Sequence, residues 1–220
     1  EDELSIMDNV PVSRGDMATL RDGEWLNDEV VNLFFKILER RAATTTGWPA
    51  CYFMNSLFYP KLAESSTGYT YHNVKRWAKG RRVFDCAMVL VPVHCHGNHW
   101  TLAVVNLKLK RFEYYDSLRG PPGRVLLHLR QWLHDEAENK LRQTLDLSEW
   151  TDVVFKEGIP QQRNGVDCGV FMCKCADYIA QDGALDFEQD DISYMRRRMV
   201  LELLSRATLC EAPAALERPP

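Results

Sequence analysis

The chain has 220 residues, 45% of them hydrophobic and 26% charged, and a net charge of −4. That profile suits one soluble domain with a sizeable core and disfavours a broad nucleic-acid footprint. No apolar run reaches the roughly 18 residues of a membrane span, and the acidic start "EDELSIMDNV" is not a signal peptide. Taken in chain order, "WLNDEVVNLFFKILERR" is the first strong helix pattern: Asn27 or Asp28 can cap it, and Leu26, Val30, Leu33 and Ile37 fall at helical spacing. The basic stretch "KRWAKGRR" at 75–82 reads as a solvated loop. "AMVLVPV" (87–93) is a buried strand, and "WTLAVVN" (100–106) with "RFEYYDS" (111–117) forms a hairpin around "LKLK". After the Pro121-Pro122-Gly123 break, residues 124–143 repeat Leu126, Leu129, Leu133, Ala137 and Leu141 as a helix. "TDVVFKEG" (151–158) is another strand, and "DCGVFMCKCADYIAQ" and "DDISYMRRRMVLELL" are closing helices. Helices first and last with adjacent strands between them give an α+β fold. Residues 1–210 form a single domain, and 211–220, "EAPAALERPP", a flexible tail.

Seven cysteines stand at 51, 86, 95, 168, 173, 175 and 210. An odd count with irregular spacing reads as reduced thiols of a reducing compartment, not as a disulfide framework. One of them is set apart by its surroundings. "PQQRNGVDCGVF" surrounds Cys168 with turn-formers on one side and a helix on the other. A thiol at a helix start meets the positive end of the helix dipole, which stabilises a thiolate. Gly165 and Gly169 permit a sharp approach and leave room beside the sulfur. The plainer reading is a bend that contains a buried cysteine. Cys173 and Cys175, inside the same helix, read as small hydrophobes.

A reactive thiolate also needs an imidazole. His99 opens one strand of the hairpin and Asp116 closes the other, with the midpoint inside "LKLK". Antiparallel pairing then sets the two nearly opposite each other on one face, where a carboxylate orients an imidazole. Taken alone, the pair is an ordinary cross-strand contact; beside Cys168 it becomes chemistry. An oxyanion donor is required as well. Gln161 and Gln162 both lie on the incoming loop, and spacing does not separate them. His94, Cys95, His96 and His99, with Cys173 and Cys175, make a rival zinc set. The lack of any Cys-x-x-Cys pair speaks against it, so no metal is expected. Strand alternation points Trp100 away from the face of His99 unless the backbone bends.

The order His-Trp, then Tyr-Asp-Ser, then Gln-x-x-Asn-Gly-x-Asp-Cys-Gly resembles the ubiquitin-like-protein-specific cysteine proteases, the sentrin/SUMO-specific protease family. "WLNDEVVN", "VPVHCHGNHWTLAVV", "YYDSL" and "PQQRNGVDCGVF" follow that family's motifs in order, from about residue 5 to about residue 204. "CHGN" before the His-Trp pair is one residue longer than the family's pattern. The resemblance implies a papain-like α+β fold, with a central mixed or antiparallel sheet flanked by helices and the nucleophile at a helix N-terminus. It implies His99, Asp116 and Cys168 as a triad and selects Gln162 as the oxyanion donor. It also implies a bend that lets Trp25 and Trp100 wall a slot admitting only glycine, with Asp28 as a further substrate-binding residue. The expected activity is cleavage after the Gly-Gly terminus of SUMO, in precursors and in conjugates on lysine, by a cofactor-free monomer. The partners are SUMO and sumoylated proteins, and neither nucleic acid nor membrane. The expected compartment is the nucleus, with the cytoplasm second. The same chemistry on NEDD8 and a catalytically silent modifier-binding module are the alternatives.

Overall fold

The computed structural model describes residues 3–7, 10–64, 68–78, 82–95 and 97–205. The expected tail at 211–220, His96 and part of the basic stretch lie outside the described residues. An antiparallel hairpin comes first, β1 (Glu3–Met7) against β2 (Val10–Ser13), ahead of the helix expected to open the fold. A short helix α1 (Arg14–Ala18) follows, started by a capping box between Ser13 and Asp16. The long α2 (Asp28–Thr44) begins where its pattern placed it. Asn27 is the cap: its side-chain oxygen accepts the Val30 N–H at 3.1 Å, while its amide donates to Asp16 at 2.7 Å.

The sheet comprises β3 (Cys51–Phe53), β4 (Met88–Cys95), β5 (His99–Asn106), β6 (Arg111–Tyr115) and β7 (Thr151–Phe155), side by side in sequence order. The three central strands are antiparallel, whereas β3 and β7 add to the edges in parallel. Parallel edges need long crossovers. The first holds α3 (Phe58–Ala63) and a 3₁₀ turn at Tyr71–Asn73; the second holds α4 (Val125–Leu141), which ends on Arg142 in the left-handed region at φ 58°. After β7 come α5 (Cys168–Ala180), a 3₁₀ turn at Gln189–Asp191 and α6 (Ile192–Ser205). The expected α+β architecture, a central mixed sheet flanked by helices, is what forms.

Both faces of the central strands are covered, which is why they read as continuous apolar runs. Leu90, Leu102, Val104 and Tyr115 pack with α2, α5 and α6. Val89, Val91, Val93, Ala103, Val105, Phe112 and Tyr114 pack with α3 and α4. The alternation sends the first two side chains of β5, His99 and Trp100, to opposite faces, with Trp100 on the α5 side. The six described cysteines are free thiols. No helix among the described residues is long and apolar enough to cross a membrane.

Candidate active site

The hairpin register differs from the symmetric one by two residues. Leu102 pairs with Tyr115 and Asn106 with Arg111, so the register points Asp116 toward Thr101, and His99 is its diagonal neighbour. A shift of two is even and keeps both side chains on one face. His99 Nε2 therefore still meets Asp116 Oδ1, at 2.7 Å. The turn after β6 holds the carboxylate: Leu118 N–H donates to Oδ1 at 2.8 Å and Gly120 N–H to Oδ2 at 2.9 Å. A side chain at Gly120 would meet Oδ2 at 2.6 Å, so glycine there lets the backbone close over the acid.

The Cys168 thiol lies close enough to the same imidazole to act on its charge. The bond to Asp116, then the neighbouring Cys168 thiol, push the His99 pKa up to about 10 against the opposing effect of burial. Burial alone would raise Asp116, but the His99 bond and the Leu118 and Gly120 amides outweigh it and hold the acid below its ordinary value. The pair favours an imidazolium beside a carboxylate at neutral pH.

Cys168 is the first residue of α5 and 2% exposed. Of the two glycines around it, only Gly169 answers to close packing. A Cβ there would lie 2.8 Å from Leu26 Cβ, whereas one on Gly165 would meet nothing within 4 Å. Gly169 thus makes room for Leu26 at the foot of the helix, and Gly165 contributes its carbonyl, which accepts the Trp25 indole N–H at 2.9 Å. Cys173 and Cys175 are buried deeper along α5, where desolvation pushes both thiols up, Cys175 to about 12.

The two glutamines part company. Gln161 turns outward, accepting from Arg119 Nε at 2.7 Å. Gln162 is buried, its carbonyl accepting from the Ser117 hydroxyl at 2.6 Å and its Nε2 donating to Asn164 O at 2.5 Å. One Nε2 hydrogen remains beside the thiol's loop. Ser117 follows Asp116 directly, so one turn anchors both the acid and the amide.

The two tryptophans are not equivalent walls. Trp25 is 51% exposed and crosses to the Cys168 loop through Gly165. Trp100 is 4% exposed; its indole N–H donates to Leu26 O at 3.0 Å, and the His94 ring stacks on it at 4.3 Å. The alternation of β5 is kept and no bend turns Trp100 onto the face of His99. Asp28 stands at the start of α2, close enough to His94 to act on its charge.

The described members of the zinc set do not converge. His94 stacks on Trp100, while the Cys95 thiol lies near Thr101 and Tyr114 on the other face. A different trio, His134, Asp135 and Glu138 on α4, has ligand atoms within 4.8 Å of one another.

Residues 24–208 match the Ulp1 protease family, C-terminal catalytic domain. The chain belongs to the Ulp1 protease family. Rat sentrin-specific protease 2 is 41% identical over 207 residues, covering 94% of this chain and 34% of its own length. Ubiquitin-like-specific protease 1A of Arabidopsis thaliana is 38% identical over 201 residues, covering 89% of this chain and 40% of its own length. The Ulp1-family chain thus spans roughly a third of the curated relatives it matches. Among solved structures, the C-terminal Ulp1 protease domain in complex with Smt3, the yeast ortholog of SUMO, is similar at TM-score 0.77 and 29% identity. That match covers 93% of this chain and 87% of the other. The SUMO protease Ulp1 with its catalytic cysteine oxidized to a sulfenic acid is similar at TM-score 0.80 and 29% identity, covering 93% and 88%.

One contact beside the thiol has no motif in the sequence. Asp167, next to the thiol, is bonded to the buried Arg196 of α6 at 2.6 Å, and also to Asn164 and Gln189. A signal existed: Arg196 falls four residues after Ile192 and three before Met199, on the buried stripe of α6.

Proposed function

We propose that the chain is a cysteine protease and isopeptidase that cleaves after the C-terminal Gly-Gly of SUMO, in precursors and in conjugates on lysine. The observation that carries this reading is an imidazole bonded to Asp116 with the Cys168 thiol beside it at a helix start. Attack by the sulfur on the terminal glycine carbonyl gives a tetrahedral oxyanion. Gln162 Nε2 and the Cys168 N–H, which as a first-turn amide has no partner within the helix, face that charge. His99 gives its proton to the leaving amine, and water activated by the neutral ring then releases the thioester. Asp116 stays ionised and keeps the ring oriented. Trp25, half exposed beside the thiol's loop, is the wall that the glycine tail meets, with Trp100 as a buried floor and Asp28 at the outer edge.

SUMO as the modifier is supported by the names of the relatives: sentrin-specific protease 2 at 41% identity, and the Ulp1 domain solved with Smt3. The nucleus, a reducing compartment, suits the free thiols. Ubiquitin, NEDD8 and SUMO probes carrying a C-terminal electrophile test the reading. Covalent capture of SUMO on Cys168 is expected; capture of NEDD8 or ubiquitin instead would reassign the substrate. Stoichiometric SUMO binding without capture would make the chain a silent module.

A further inference from the structure

Arg196 lies on α6, outside the groups that touch a substrate, yet it is 1% exposed. A guanidinium has five N–H donors in a fixed fork, and this one uses them all. Nε and Nη2 donate to Asp167 Oδ1 at 3.1 and 2.6 Å. Nη2 also donates to Glu24 O at 2.8 Å, and Nη1 to Thr19 O and Arg21 O at 3.2 and 3.0 Å. Asp167 directly precedes Cys168, and Glu24 directly precedes Trp25. Trp25 then returns to Gly165, two residues before Asp167, through its indole N–H. The contacts close a ring: Arg196, Glu24, Trp25, Gly165, Asp167 and Arg196 again.

We propose that Arg196 is a positioning residue, which with Asp167 latches the turn at 19–24 onto the start of α5 and so holds Trp25 at a fixed place beside Cys168. The inference deepens the proposed function and rests on its assignment of Cys168 as nucleophile and Trp25 as the wall of the glycine tail. Trp25 is half exposed, and its ring makes one hydrogen bond, to Gly165. The buried Leu26 fixes the chain after it, so what anchors the turn before it sets the other side. A lysine would keep the charge opposite Asp167, but its ammonium has only three donors on a rotating head and cannot span the three carbonyls and the acid together.

The test compares the parent with Arg196→Lys at a temperature well below the melting of both. Amides at 19–25 are expected to exchange with solvent about tenfold or more faster in the variant, as a locally released segment does. Turnover of a SUMO precursor is expected to fall about 10- to 100-fold in kcat, the scale of a displacement near 1 Å. SUMO affinity, measured in a Cys168→Ser background, and alkylation of Cys168 by iodoacetamide, read by mass spectrometry, should both stay within about threefold, because neither needs the wall in place. Unchanged exchange at 19–25 overturns the latch. So does a lowered melting temperature with kcat kept, which would make Arg196 a structural residue alone. Alkylation that falls in step with kcat also overturns it, since Arg196 would then act on the sulfur and not on Trp25. Should Arg196→Lys fail to fold, Trp25→Phe decides: it loses the bond to Gly165 and is expected to lose about tenfold in kcat with its melting unchanged, and kept kcat overturns the proposal. If the parent cleaves no modifier at all, the proposed function fails, and exchange at 19–25 still judges the latch.

Discussion

Two cysteines of α5 set the scale for the third. Cys173→Ala and Cys175→Ala remove buried sulfurs that touch no chemistry. Each is expected to keep turnover and to lose about 1 kcal/mol of stability, measured by denaturant melts. Cys168→Ser should abolish turnover while SUMO is still bound; cleavage by that variant would dismiss the nucleophile assignment. The acid is held more tightly than the pairing pattern alone suggests. In Asp116→Asn the amide oxygen can keep His99 and Leu118, but its NH₂ then faces the Gly120 N–H, donor against donor. A strong loss of turnover is expected, together with a fall of the His99 pKa from about 10 toward its ordinary 6.5, read by NMR titration. Because the folded value is raised, the stability from His99 is fully present below pH 6.5 and is lost as pH rises through about 10. Asp116 has the opposite sign: its contribution is present above 3.8 and is lost as pH falls through its lowered folded value. A His99 that titrates identically in parent and Asp116→Asn would mean that another group sets its charge.

Among the elements, the start of α5 offers a matched pair of glycines. Gly169→Ala gains about 1 kcal/mol of helix propensity, but its Cβ would stand 2.8 Å from the Leu26 Cβ, so the helix or α2's approach must shift. Overpacking of that kind costs about 1–3 kcal/mol. A net drop in melting temperature and in turnover is expected, whereas Gly165→Ala, with open space around it, should change neither. Equal behaviour of the two would remove the close approach of Leu26 from the account. The central strands and the long helices were legible because burial on both faces, or on one stripe, leaves a pattern. β1, β2 and β3 were not, and β3 is only three residues long. The His99–Asp116 face was legible from parity alone, even though the turn at 107–110, closed by Lys110 at φ 52°, moved the register by two. The contrast between Trp25 and Trp100 was not, since it depends on which helix happens to cover each indole. Arg196 sat inside "MRRRM", where the exposed Arg197 and the half-buried Arg198 hide an inward arginine.

Across the whole molecule, α2, α5 and α6 are joined by charges as well as by apolar packing. Asp177 of α5 meets Arg41 of α2 at 2.5 Å and Lys174 at 3.0 Å, and Lys174 also meets Glu202 of α6 at 3.5 Å. Burial alone would raise Asp177, but the two cations hold it below its ordinary value. Asp177→Ala leaves Arg41 without its carboxylate and Lys174 with Glu202 alone, at an expected cost of about 3–5 kcal/mol. Turnover at low temperature should survive, because the network lies further along α5 than the thiol. Loss of activity with a normal melting temperature would show that it tunes the site after all.

The ring through Arg196 also orders events during synthesis. The base and its acid belong to a hairpin that leaves the ribosome before the thiol, and the arginine that closes the ring follows both. Until α6 is out, Asp167 is a carboxylate without its cation and the turn before Trp25 has no anchor. A chain stalled before α6 would therefore carry every reacting group while the turn before Trp25 stayed unlatched.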